Sequence, residues 1–70
     1  PAAFRALTAR EFEIVELMVQ RLSNREIAQK CYLSEGSVKQ YVNQIYSKLH
    51  IEGDTRTKRA QLAALLHEKT

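Results

Sequence analysis

Ser23 and Ser34 stand only eleven residues apart, and each opens a run whose apolar residues recur every three or four positions. In Ser23-Asn24-Arg25-Glu26 the serine hydroxyl and the glutamate carboxylate can each satisfy an otherwise orphaned backbone N–H, so the string reads as a capping box. Ile27, Ala28 and Cys31 follow on one helical face, with Glu26 and Lys30 oriented for an i,i+4 pair. After Ser34, Val38, Tyr41, Val42, Ile45 and Leu49 keep helical spacing for about four turns. Two amphipathic helices joined by so short a turn must cross steeply, the arrangement of a helix-turn-helix. An earlier box, Thr8-Ala9-Arg10-Glu11, starts another helix carrying Ile14, Leu17 and Met18. Past the break at Glu52-Gly53-Asp54, Thr55 or Thr57 can cap a last helix carrying Leu62, Leu65 and Leu66. The pattern predicts an all-α fold, a compact four-helix bundle with helices near 8–20, 24–31, 35–49 and 58–68, and Leu17, Ile27, Val38, Val42, Ile45 and Leu62 buried. Residues 1–6 lack periodicity and are expected as a linker remnant, with residues 7–70 forming the domain.

Seventy residues make one domain close to the size where a single core is marginal, which leaves little room for a catalytic cleft. There is no Gly-rich phosphate loop and no carboxylate cluster beyond Glu11 and Glu13, so an enzyme is the class the sequence supports least, and no cofactor is expected. The lone cysteine, Cys31, cannot form an internal disulfide and lies far in sequence from His50 and His67, so it reads as core and no metal site is expected. The longest apolar run, Leu62 to Leu66, is too short to span a bilayer. With no signal segment and no initiating Met, the expectation is a cytoplasmic fragment of a longer protein.

The formal charge is +3, and its distribution says more than its size. Residues 1–22 are neutral, whereas residues 23–50 carry +2 and residues 51–70 carry +1, so the excess lies beyond the first helix. On the third helix, the side opposite the apolar stripe presents Gly36, Lys39, Gln40, Asn43, Gln44 and Ser47. Periodicity alone also allows a merely solvated face, with Glu35 and Lys39 as a surface pair. A face that needs only water is usually rich in Glu and Lys. Amides and hydroxyls can instead read base edges in a major groove about 12 Å wide, which admits a helix.

The strings Leu7-Thr8-Ala9-Arg10-Glu11, Ser23-Asn24-Arg25-Glu26-Ile27-Ala28 and Ser34-Glu35-Gly36-Ser37-Val38-Lys39-Gln40-Tyr41, followed by Ile45 and Lys48-Leu49, closely resemble the signature of the LuxR/NarL (FixJ/GerE) type DNA-binding domain. The resemblance implies that the third helix reads the major groove of double-stranded promoter DNA and that the fourth supplies a homodimer contact. It also implies that a receiver domain stands upstream in a two-component response regulator. By position it places Lys39, Gln40 and Asn43 at base edges and Ser37 and Lys48 at phosphates, and Arg25 and Gln44 are further phosphate candidates. Ala63 and Leu66, on an apolar arc of the last helix, are the expected dimer contacts, pairing mainly on DNA, the rival reading being that the arc merely caps the core. The chain departs from the pattern at Arg21, Tyr32 and His50, where relatives usually place glycine, at Tyr41 for a usual histidine and at Cys31 for a usual leucine. Glu52 to Lys58 also looks longer than the family norm if Arg59-Ala60-Gln61-Leu62 enters the fourth helix. The alternatives are a sigma-factor-like helix-turn-helix, which the Ser23–Ala28 string disfavours, and a helical protein-interaction module, which would need an apolar patch that the third helix lacks.

Overall fold

The computed structural model describes residues 2–67. A short 3-10 turn, Ala2–Ala6, precedes α1 (Ala9–Val19), α2 (Asn24–Cys31), α3 (Glu35–Lys48) and α4 (Thr55–Leu66), and no strand occurs among the described residues. Both capping boxes form. Thr8 Oγ1 accepts the Glu11 N–H at 3.1 Å while Glu11 Oε1 accepts the Thr8 N–H at 2.8 Å, and Ser23 and Glu26 repeat the same two distances. Ser34 Oγ accepts the Ser37 N–H at 3.1 Å, and each such cap contributes about 1 kcal/mol.

Three helix ends are closed alike. Leu22, Leu33 and Ile51 donate their N–H groups back to Leu17, Ala28 and Tyr46 carbonyls at 3.3, 2.9 and 2.9 Å, the bond of a Schellman-type turn. That turn needs a left-handed residue just before the donor. Arg21, Tyr32 and His50 fill the place with φ of 69°, 58° and 56°, at a cost of roughly 1–2 kcal/mol each for an L side chain. The apolar residue that follows offsets part of this cost, since Ile51 is buried and Leu22 and Leu33 are half-buried against the core.

The core forms where α1, α2, α3 and α4 converge, and Ile14, Val15, Ile27, Val38, Ile45 and Leu62 are sealed from solvent, with Cys31 also buried. Leu17 is only half-buried, contrary to expectation. The inner face of α1 is centred on Glu11, Ile14, Val15 and Met18, which leaves Leu17 on its flank. Tyr41 is likewise half-buried, whereas Tyr46 is buried, and the first turns of α4 lay the Lys58 ammonium 5.2 Å above its ring.

Two other expectations are corrected. The segment expected as a linker, 1–6, holds a core side chain: Phe4 is buried and meets the Phe12 ring edge-on at 5.8 Å. The fourth helix begins at Thr55 rather than near 58, because Asp54 caps it, its Oδ1 accepting the Thr57 N–H at 2.8 Å. No long loop therefore precedes α4. Only residues 49–54 lie between the helices, turning through Gly53 at φ 125°, where a Cβ would meet Thr57 Cγ2 at 3.3 Å. Gln61 Nε2 donates to the Glu52 carbonyl at 2.8 Å and fastens this turn to α4. The helix is assigned to Leu66; residue 68, where its end was expected, lies outside the described residues.

Candidate nucleic-acid interface

With Val38, Val42, Ile45 and Tyr46 fixed in the core, the opposite side of α3 has to face solvent. Gly36, Lys39, Gln40, Asn43, Gln44 and Ser47 are all exposed, forming a polar surface along the helix with a single cation among neutral hydrogen-bonding groups. A Cβ at Gly36 would meet nothing nearer than Ser34 Oγ at 3.9 Å. Internal packing thus gives no reason for a glycine in this first turn.

The first turn of α3 is also a donor-rich surface. Ser34 Oγ donates to Ser37 Oγ at 3.0 Å, which leaves the Ser37 hydroxyl proton free to donate outward. Orphan N–H groups and the positive end of the helix dipole favour an anion at the same place. Arg25 is exposed on the first turn of α2, and Gln44 lies farther along the exposed face of α3.

Lys48 is placed differently. Its ammonium donates to Glu11 Oε1 at 2.7 Å, across 37 residues of sequence, and its side chain is 37% exposed while that of Glu11 is 2% exposed. Burial alone would raise the Glu11 carboxyl, yet the Lys48 ammonium and the Thr8 N–H and hydroxyl together hold it below the ordinary glutamate value. The pair ties α1 to the last turn of α3, so the pitch of the exposed surface is set by a charge contact as well as by apolar packing. Sequence reading assigned Glu11 to its cap alone. A contact between residues 11 and 48 leaves no periodic trace in either helix.

Beside α3 lies a notch of about 190 Å³, lined by Asn24, Lys39, Val42, Asn43, Tyr46, Thr55, Lys58 and Arg59. Arg59 holds α4 there, its guanidinium donating to the Leu22 carbonyl at 3.1 Å and reaching Asn24 Oδ1 at 3.5 Å. Thr55, Lys58 and Arg59 were not singled out from sequence for such a site: a helix start near 58 left Thr55 in the loop and put Lys58 and Arg59 at the helix entry without a face to point to, and the Asp54-x-x-Thr57 cap is the signal that places them. On α4, Ala63 and Leu66 are half-buried, Leu66 against the core, and Ala64 is exposed. Arg10 joins α1 to the end of α2 by donating to the Cys31 carbonyl at 3.4 Å and to Glu13 at 3.0 Å.

The family described as bacterial regulatory proteins, luxR family, matches residues 5–63. The chain is 44% identical over 50 residues to the transcriptional regulatory protein LnrK of Bacillus subtilis, a match covering 71% of this chain and 23% of the relative. It is 40% identical over 50 residues to the transcriptional regulatory protein DegU of Brevibacillus brevis, covering 71% of this chain and 21% of the relative. It is 38% identical over 47 residues to the spore germination protein GerE of Bacillus subtilis, covering 67% of this chain and 64% of the relative. The match therefore spans less than a quarter of the length of the first two relatives. No solved structure matches the chain. With its helix-turn-helix, its exposed amide face on α3 and a family match over most of its length, the chain belongs to the luxR family of bacterial regulatory proteins.

Proposed function

We propose that the chain binds double-stranded promoter DNA sequence-specifically, with α3 in the major groove, as the output domain of a two-component response regulator. The observation that carries the reading is the exposed side of α3. Four of its six groups are amides or hydroxyls suited to base edges, and the helix behind them is locked into the core. Lys39, Gln40 and Asn43 take base edges: the amides suit bidentate pairing with adenine N6 and N7, and Lys39 reaches a guanine. Arg25, Ser37 and Gln44 take phosphates and set the register. Lys48 stands at the edge of this set, and because Glu11 shares its charge it adds less to the salt dependence than a free lysine would. Residues 7–70, with the Phe4 side chain packed into their core, form the binding domain. The much greater length of LnrK and DegU leaves room for a receiver domain upstream in a full-length protein. Ala63 and Leu66 on α4 pair two copies across a two-fold axis, setting two α3 helices about one helical turn of DNA apart.

A gel shift on duplexes recovered by the chain from a random pool, repeated over a salt series, tests the reading. Gln40→Ala or Asn43→Ala should weaken the recovered site by about 1–3 kcal/mol and leave random duplex nearly unaffected. Equal losses on both duplexes would move these residues to the backbone, and salt-dependent binding with no recovered consensus would remove sequence specificity.

A further inference from the structure

We propose that the notch between α3 and the start of α4 seats one phosphodiester of the DNA backbone, held by Lys58 of α4, beside the face of α3 from which Lys39 reaches a base edge. This rests on the DNA-binding reading and extends the contact surface onto a helix to which that reading gives only dimerisation.

The lining is one-sided in charge. Lys39, Lys58 and Arg59 contribute cations, Asn24, Asn43 and Thr55 contribute neutral donors, and no carboxylate lines the notch. The nearest acid in sequence, Asp54, has its carboxylate turned to the Thr57 N–H as a cap. Arg59 is occupied by the Leu22 carbonyl, and the Lys58 ammonium rests over the Tyr46 ring without a carboxylate at ion-pair distance among the described residues. A cation over an aromatic face keeps its N–H groups on the outer side available to an anion.

The second observation is Tyr46. It lines the notch and is only 5% exposed, yet its hydroxyl has no hydrogen-bond partner among the described residues. A buried donor without an acceptor is rare, and at a functional surface it marks a place for one. A phosphodiester offers acceptors only and carries one negative charge, and the notch of about 190 Å³ has room for it. Position favours DNA over a free anion as the source. Lys39 and Asn43 border the notch and also belong to the exposed side of α3, so a backbone crossing beside the groove-bound helix would pass over it. Seated there, the phosphate would bridge α3 and α4 and fix their relative position in the complex.

Lys58→Gln and Lys58→Met, with Lys39→Gln beside them, test this in the 70-residue chain on a duplex recovered from a random pool. The methionine variant keeps an unbranched stem over Tyr46, so a loss shared by both Lys58 variants belongs to the charge. Thermal melting establishes that each is folded. The wild-type advantage over either Lys58 variant should shrink about 3.5-fold between 50 and 200 mM salt, the signature of one lost phosphate contact. A scan of neutral methylphosphonates through the duplex should find one position that weakens the wild type and leaves Lys58→Met unchanged. If both Lys58 variants keep the wild-type salt slope and the wild-type methylphosphonate profile while Lys39→Gln loses slope, the notch proposal falls and the DNA reading stands. A wild type that shows no salt-dependent binding to duplex brings both down. Saturable binding of inorganic phosphate at the notch with an unchanged DNA slope would assign it to a free anion and overturn the proposal.

Discussion

Helices α3 and α4 are of similar length and both pack on α1, yet they are held in different ways. α3 is anchored by Val38, Val42, Ile45 and Tyr46 and pinned at its last turn by the Glu11–Lys48 pair. α4 buries one residue completely, Leu62, and otherwise depends on half-buried Leu65 and Leu66 and on polar ties from Arg59, Gln61 and the Asp54 cap. Apolar packing across a close-packed core tolerates little displacement, whereas hydrogen bonds to loop carbonyls can be exchanged for bonds to water at a net cost of about 1 kcal/mol each. A rigid α3 suits a surface that must match base edges, and a more loosely tied α4 suits one that adjusts to a partner.

The contrast is broken most severely at the anchored helix. Ile45→Ala should cost about 2–5 kcal/mol, enough to leave a domain of this size largely unfolded, and thermal melting reads it. A variant that melts like the wild type would show that α3 is not held by its apolar back.

Lys48→Met removes the charge contact and should cost about 1–2 kcal/mol, less than a fully buried pair because the lysine is over a third exposed. The effect depends on pH with a definite sign. The folded state holds Glu11 below its ordinary value of 4.5, so on acidification the unfolded chain takes up the proton first. The contribution is full well above pH 4.5 and is lost as pH falls through the folded-state value. The gap in stability between wild type and Lys48→Met should therefore narrow below pH 4.5, and a constant gap in denaturant titrations would assign the loss to packing alone.

At the looser helix the effects are smaller. Asp54→Ala removes the α4 cap at a cost of about 1 kcal/mol, and hydrogen exchange should accelerate at Thr57 and its neighbours while amides in the middle of α3 keep their protection. Equal acceleration in both helices would mean that they open as one unit. Ala63→Glu, on the half-buried outer side of α4, should shift stability by no more than about 0.5 kcal/mol and still remove cooperative occupancy of a two-half-site duplex. Unaltered cooperativity in a folded variant would end the α4 dimer.

Most of the fold was legible because its signals are local. The two capping boxes fixed where α1 and α2 begin, Ser34 fixed α3, and the three- and four-residue spacing of Val38, Val42 and Ile45 fixed which side of α3 faces out. Arg21, Tyr32 and His50 stood out against the family pattern, and all three adopt the left-handed backbone that glycine would favour. Features made by residues far apart were not legible. Glu11 meets Lys48 and Arg59 meets the Leu22 carbonyl only because helices cross, and Phe4 enters the core from a segment with no period to reveal it. The start of α4 was misplaced for a local reason: Gly53-Asp54-Thr55 offers several caps in succession, and the carboxylate of Asp54 takes the role from the two threonines after it.

Tyr46 gives the molecule a built-in optical reporter. The chain has no tryptophan, so its near-ultraviolet emission comes from three tyrosines, of which Tyr32 is 95% exposed, Tyr41 is half-buried and Tyr46 is sealed beneath Lys58 at the foot of the notch. Replacing Tyr32 and Tyr41 by phenylalanine would leave a single fluorophore in the seam between α3 and α4. Its lifetime and its access to a small neutral quencher such as acrylamide would then follow how tightly that seam is closed, without an added dye.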